Sequence, residues 1–311
     1  MSLFLGIDTS NYTTSAALYD DTAGEICEER KQLEVKPGKK GLRQSDALFA
    51  HVKNLPLLLT RLFKSTEISI SAVGASARPR DIDGSYMPCF EAGLMAARSI
   101  SAAMKIPFFE FSHQAGHIAS ALFSINRLDI LESRFIAFHV SGGTTEAVLC
   151  TPCGSSLRAE ILGCSLDLKA GQAVDRVGQM LGLGFPAGPQ LESLALQSKN
   201  HFDIKPSLKG GDCCMSGIEN LCSGMIKSGR EPCDVALFCI KYISASLDGM
   251  LKALLPLYYG IPLVFVGGVM SNTIIRSHFA SEYGVLFAKQ GFSSDNAVGI
   301  AVLTKSRVVN E

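Results

Sequence analysis

Apolar positions along this chain fall into two rhythms, and the places where they switch mark out the elements. The stretch "LFLGIDTSNYTTSAALY" (3–19) reads as a strand, a tight turn of small polar residues and a second strand. "EICEERKQL" continues as a third strand. "SDALFAHVKNLPLLLTRLF" changes to helical spacing, with Asp46 near its start and Pro56 placed to kink or split it. "SAVGASA" predicts a buried strand, "FEAGLMAARSISAAM" a helix and "IPFFEF" another strand. The second half begins again with "RFIAFHVSGGTTEAVLC" (134–150), again strand, turn and strand, and "SLRAEILG" adds a third strand. A long helical region is predicted from about 168 to 255. "PLVFVGG" follows as a strand, "SNTIIRSHFA" as a helix, "GVLFA" as a strand and "SDNAVGIAVLTKS" as the last helix.

The two strand–turn–strand stretches align without a gap at an offset of 131. Phe4 meets Phe135, Ser10 meets Ser141, Thr13-Thr14 meets Thr144-Thr145 and Leu18 meets Leu149. One α/β unit used twice is therefore expected. Three hairpin-like strands followed by alternating helix and strand, repeated, match the two-lobed actin-like ATPase and sugar-kinase fold. The expected lobes are 1–130 and 131–311, with the last helix (about 294–308) at the cleft between them.

Composition fits this and narrows the partners. The 311 residues are 47% hydrophobic and 19% charged, which is enough apolar surface for two cores. No apolar run reaches the roughly 18 residues that span a membrane, and the start resembles no export signal. Ten cysteines are then expected as reduced thiols of a cytoplasmic protein; "CTPC" (150–153) reads as two buried thiols flanking a turn. A formal net charge of zero means that nucleic acid would need a local basic patch or a partner protein. "KPGKKGLR" (36–43) and "RPR" (78–80) are the local candidates.

Candidate chemistry gathers at the turns. Ser141-Gly142-Gly143 brings backbone N–H groups within reach of an anion, because no Cβ stands in the way. Asp8 and Ser10 occupy the matching turn of the first half, and Asp8 is the one candidate for a catalytic role. In "FVGGVMSN" a buried strand enters Gly267-Gly268 and a helix opens near Ser271-Asn272, an arrangement that favours phosphate or nucleoside contact. The structural alternative there is an ordinary turn with Ser271 as N-cap. His113 and His117 in "SHQAGHIAS" stand one helical turn apart and can grip a metal from one side. Such a site needs a third ligand. Asp295, ahead of the last helix, is the candidate, with a plain N-cap role as its alternative.

In order, "HQAGH", "VSGG", "AVDRVGQMLGLGFPAGP", "GGVMSN" and "SDNAVGIA" resemble the TsaD family, formerly called Gcp or O-sialoglycoprotein endopeptidase, over nearly the whole chain. The resemblance implies transfer of a threonylcarbamoyl group from threonylcarbamoyl-AMP to the adenosine 3′ of the tRNA anticodon. It implies one iron or zinc ion held by His113, His117 and Asp295. Substrate and nucleotide contacts map to His139, Val140, Ser141, Gly142 and Gly143, and to Asp175, Gly188 and Asn272. Partner proteins, among them one resembling TsaB, would help deliver tRNA and the adenine nucleotide.

The departures from the family's pattern are local. The first turn reads "TSNYTT" where the family has Thr-Ser-Cys-Asp-Glu-Thr. Thr144 stands where a histidine follows "SGG", "ARPRDIDGSYMPC" replaces a Gly-Pro-Gly loop, and "CCMSGIEN" replaces Phe-Ser-Phe-Ser-Gly-Leu-Lys-Thr. Such a pattern also suits a diverged paralogue that binds nucleotide and metal in a regulatory or scaffold role. An actin-fold ATPase or kinase is the other alternative, although no catalytic base for one is evident. A peptidase of the zincin type is not supported, because Gln114 stands where that motif has its glutamate.

Overall fold

The computed structural model describes residues 2–10, 12–34, 42–65, 69–82, 84–153, 156–289, 291–292 and 297–309. The elements in chain order begin with strands β1 (Leu3–Asp8), β2 (Thr13–Asp20) and β3 (Glu25–Gln32). They continue through helix α1 (Gln44–Leu62), β4 (Ile70–Arg78), α2 (Phe90–Met104), β5 (Phe108–Ser112) and α3 (His113–Ser124). The second half opens with β6 (Phe135–Val140), β7 (Thr145–Cys153) and β8 (Ser156–Cys164). Then come α4 (Ala170–Met180), α5 (Gly188–Ala195), a small hairpin of β9 (Ser207–Lys209) and β10 (Asp212–Cys214), α6 (Gly217–Lys227) and α7 (Pro232–Leu254). The chain closes with β11 (Leu263–Val266), α8 (Thr273–Tyr283), β12 (Leu286–Phe287) and α9 (Val298–Val309).

The chain forms two compact units, both discontinuous in sequence. One comprises Met1–Ser133, Thr151–Ala159 and Gly291–Glu311; the other comprises Arg134–Cys150 and Glu160–Gln290. In the first unit the sheet order is β3-β2-β1-β4-β5, and the second sheet runs β8-β7-β6-β11-β12. The topology is the same: an antiparallel three-strand meander, then two parallel strands added beyond its first strand. Even the register repeats. Asp8 lies opposite Ser15, and 131 residues later His139 lies opposite Glu146. The doubled actin-like α/β fold expected from the sequence is what the chain adopts.

In the first unit every residue of β1 is buried, as a strand covered on both faces must be. Leu5, Ile7, Leu18, Leu55 and Leu94 pack on the α1/α2 side. Phe4, Ala17, Ala72, Ala301 and Val302 pack on the α9 side. The last helix reaches this sheet because glycines make room for it: a Cβ on Gly6 would lie 2.4 Å from the Ala301 nitrogen. The second unit has one core that joins its sheet to α4, α7 and α8.

Three local expectations are corrected. Helix α1 runs through Pro56 without a break, since Pro56 lies on its solvent side. The region 168–255 is three helices and a hairpin followed by the long α7. Gly182, Gly210 and Gly229, all at positive φ, punctuate it. Cys150 and Cys153 both belong to β7, the first buried and the second exposed, rather than flanking a turn. All ten cysteines are free thiols. Among the described residues no helix is long and apolar enough to cross a membrane.

Candidate functional site

In the first unit the sequence candidates converge on one carboxylate. Asp8 ends β1 with 1% of its surface exposed. Its Oδ1 accepts from the Ser10 amide (3.2 Å) and the Ser76 hydroxyl. Its Oδ2 accepts from the Ser10 hydroxyl (2.8 Å) and lies 3.1 Å from His113 Nδ1. Ser76 belongs to β4, the parallel neighbour of β1. Sequence reading missed it, because only strand pairing brings position 76 beside position 8.

His113 opens α3 directly after β5. Ser112 is the N-cap, its hydroxyl accepting from the Ala115 amide and donating to Asp81 at 2.7 Å. Asp81 also receives the Arg78 guanidinium, so "RPR" is partly a brace for this helix start. The basic stretch 36–43 falls largely outside the described residues. The rings of His113 and His117 stand 4.3 Å apart, centroid to centroid, at 76°. His113 keeps a fifth of its side chain exposed and His117 is 9% exposed. The pair is therefore on one face with edges that can share a ligand.

Asp295 lies outside the described residues. Gly299, in the first turn of α9, packs against Gly116 on α3, between the two histidines in sequence. Among the described residues no group of three His, Cys, Asp or Glu side chains is placed to hold a metal. The donor chemistry of the pair nevertheless fits a borderline ion such as Fe²⁺ or Zn²⁺. His113 meets a carboxylate through Nδ1, and its other ring nitrogen points away from that bond. A further acid was not legible in the sequence: Glu28 of β3, opposite Ala17. Burial lifts its carboxyl above the ordinary range against the pull of Arg30 and of the Ala297 amide, and the charge of Asp8 adds to the rise.

The second unit links its candidates in a closed circuit. The β6–β7 turn is held by the Ser141 amide donating to the Thr144 carbonyl (2.7 Å), while the Thr144 amide donates back to the Ser141 hydroxyl (3.1 Å). Gly171 at the start of α4 abuts this turn, its amide donating to the Ser141 carbonyl; a Cβ there would lie 2.6 Å from Gly142 Cα. On α4, Asp175 accepts from the Ala187 amide at 2.9 Å and so fixes the entry to α5 at Gly188. Its neighbour Arg176 pairs with Glu219 instead. On α5, Glu192 accepts from the Thr273 amide (2.6 Å) and hydroxyl, which ties α5 to the start of α8.

Asn272, not Ser271, caps α8, accepting from the Ile274 and Ile275 amides at 3.1 Å. Ser271 instead ends the 3-10 turn Gly268–Ser271. Gly267 closes the circuit: at φ +104° its Cα sits so near Val140 that a Cβ would lie 2.2 Å from that carbonyl oxygen. By contrast, a Cβ on Gly142, Gly143, Gly188 or Gly268 would meet nothing within 4 Å. These glycines border open space, where backbone can approach a ligand. His139, one residue before Val140, is half-buried.

Two buried thiols are held out of metal binding and nucleophilic work. Burial drives the Cys150 thiol far up and pushes Cys213 up to about 12, so both stay protonated.

Comparison with known proteins bears on the family and the fold. The model of the family described as "TsaD: tRNA N6-adenosine threonylcarbamoyltransferase" matches residues 22–302. A protein of that description from Thermus thermophilus is 30% identical, over 96% of this chain and 90% of its own. Among solved structures, HypF of T. kodakarensis superposes with a TM-score of 0.60 at 13% identity, over 99% of this chain and 47% of its own. Component A of the (R)-2-hydroxyglutaryl-CoA dehydratase of Acidaminococcus fermentans gives 0.57 at 14%, over 98% and 99%. At those identities the structural likeness concerns the fold alone.

Proposed function

Given that the chain belongs to the tRNA N6-adenosine threonylcarbamoyltransferase family, we propose that it transfers a threonylcarbamoyl group from threonylcarbamoyl-AMP to the adenosine 3′ of the tRNA anticodon. The observation that carries the nucleotide half of this reading is the circuit from the β6–β7 turn through α4, α5 and α8 back to Val140, with its open-sided glycines. In this reading the Gly142 amide faces the α-phosphate, where a fixed dipole costs no reorganisation as the phosphate leaves, while the Gly143 amide donates to the Ser141 hydroxyl at 3.3 Å and holds the turn. Gly268 lets the 3-10 turn lie against the nucleoside. Asp175 has one oxygen committed to Ala187 and offers the other to a ribose hydroxyl.

The metal half rests on the imidazole pair. His113, His117 and Asp295 are the proposed ligands, supported by the packing of Gly299, four residues past Asp295, on Gly116. A divalent ion bound there supplies Lewis acidity to the carbonyl under transfer. Holding the two substrates in register accounts for several kcal/mol of the barrier, of the roughly 7–11 that orientation can contribute. A neutral chain then acquires its tRNA with the help of partner proteins, one of them TsaB-like.

The test is transfer in vitro from threonylcarbamoyl-AMP to unmodified tRNA, with and without candidate partners, read by nucleoside analysis. Formation of N6-threonylcarbamoyladenosine that is lost in His113→Ala and His117→Ala is expected. No product under any partner combination, from protein that still binds AMP and metal, would refute the transferase reading.

A further inference from the structure

We infer that Phe185 is a stacking platform for an unpaired base of the tRNA anticodon loop, a ring held out to solvent by a braced loop of the second unit beside the proposed nucleotide contacts. The inference rests on the tRNA reading above and names a residue for its acceptor half. It begins from exposure. Phe185, in the connection between α4 and α5, is 86% exposed and is the most exposed phenylalanine among the described residues. A single apolar side chain at the surface is ordinary. What sets this one apart is how its backbone is tied on both sides. Before it, the Leu183 amide donates to the Gly178 carbonyl at 2.9 Å and the Gly184 amide to the Gln190 side-chain oxygen at 3.0 Å. After it, the Ala187 amide donates to Asp175 at 2.9 Å, and Ala187 is 1% exposed, with its methyl where a Cβ on Gly178 would fall 2.2 Å away. The ring is therefore presented from fixed points, and little freedom is lost when something lands on it.

Its place in the fold suggests what lands there. Asp175, which anchors Ala187, is the proposed ribose contact, and the open-sided Gly188 follows Phe185 by three residues, so their Cα atoms are at most about 11 Å apart. The acceptor adenosine belongs to a single-stranded loop, and proteins hold the unstacked bases of such loops on aromatic side chains. A chain of zero formal net charge lacks the general attraction for phosphates that other RNA binders use, which gives a flat apolar contact more weight. Phenylalanine has no donor or acceptor on its side chain, so the platform meets the face of a base and does not read its edge; it tolerates different bases at that position.

The experiment measures the affinity of full-length protein for unmodified tRNA by filter retention, with and without candidate partners, and its affinity for AMP by calorimetry. Phe185→Ala is expected to bind tRNA about 5- to 150-fold more weakly, the range for one stacked base, and AMP as wild type does. Phe185→Tyr should keep wild-type tRNA affinity, whereas Phe185→Leu, apolar but without a π face, should fall with alanine. The chain has no tryptophan, so Phe185→Trp gives it a single one, whose fluorescence an anticodon stem-loop should quench and AMP should not. Circular dichroism checks that each variant is folded, as substitution at so exposed a position allows. Wild-type tRNA affinity in Phe185→Ala, or a leucine variant that binds as well as wild type, overturns the platform and leaves the transfer reading standing. So does an equal loss of AMP affinity, which would assign the ring to the donor's adenine. Wild type that retains no tRNA under any partner combination overturns the transfer reading and this inference with it.

Discussion

Adding a single methyl group at Gly299 tests the geometry on which the first unit depends. A Cβ there would fall 1.8 Å from the Gly116 carbonyl oxygen and 2.7 Å from both Gly116 C and Ser120 N. Ordinary contact begins near 3.4 Å, so α9 and α3 must part by about 3.4 − 1.8 = 1.6 Å along that line. All three obstructing atoms are backbone, and no side chain can swing aside. Overpacking of this kind costs about 1–3 kcal/mol, and here the upper end applies. Alanine returns up to ~1 kcal/mol of helix propensity, which leaves Gly299→Ala destabilised by about 2 kcal/mol. Gly116→Ala faces the tip of the Ile300 side chain at 2.8 Å and should lose less. Gly224, exposed on α6 with nothing within 4 Å, is the control, and its alanine variant should gain ~0.5–1 kcal/mol. Urea midpoints by circular dichroism rank the three. Because α3 carries His113 and His117, Gly299→Ala should also weaken Zn²⁺ binding. A midpoint for Gly299→Ala equal to wild type would mean that α3 and α9 do not cross this closely.

Two further outcomes follow from the second unit. Burial pushes the Asp167 carboxyl up, but hydrogen bonds from the Ser216 hydroxyl and the Met215, Leu168 and Ser216 amides outweigh it and bring it down to about 2. The folded value is below the ordinary 3.8, so this stabilisation is complete above about pH 4 and is lost as pH falls through about 2. Asp167→Asn should therefore lose about 1 kcal/mol at pH 7, allowing for solvent screening of an exposed group. Its urea midpoint should close on that of wild type below pH 4; a constant gap would refute the electrostatic account. Gly171→Ala would press a methyl onto Gly142 and the Ser141 carbonyl. Calorimetric titration should show roughly tenfold weaker AMP binding, the ~1.4 kcal/mol of one displaced phosphate contact, while Gly224→Ala binds as wild type.

Much of this molecule was written in local sequence. The 131-residue repeat forecast two sheets of one topology, and the register from Asp8–Ser15 to His139–Glu146 bears it out. The run and spacing of apolar positions located β1, β2, α2 and β11, because they are properties of neighbouring residues. Glycine marked the turns that border open space, since the lack of a side chain needs no tertiary context to be seen. What failed depended on distant partners. Pro56 looked like a breaker, yet α1 continues through it at an exposed position. Ser271 looked like the cap of α8, yet the turn at Gly268–Ser271 hands that position to Asn272.

Only tertiary structure decided how the candidates are joined. Ser76 meets Asp8 because β4 lies parallel to β1, 68 residues apart in sequence. Gly267 must be glycine because a strand from elsewhere in the second unit brings the Val140 carbonyl against it. Helix α9 belongs to the first unit, although the second unit's residues precede it in the chain, because Gly6 and Gly299 let backbone meet backbone while Gly74 and Gly116 leave room for the Thr304 and Ile300 side chains. A chain can encode its own period and its own small residues. Which of them will touch is fixed when the sheets pair and the helices pack, since those contacts are made between segments whose sequences carry no mark of one another.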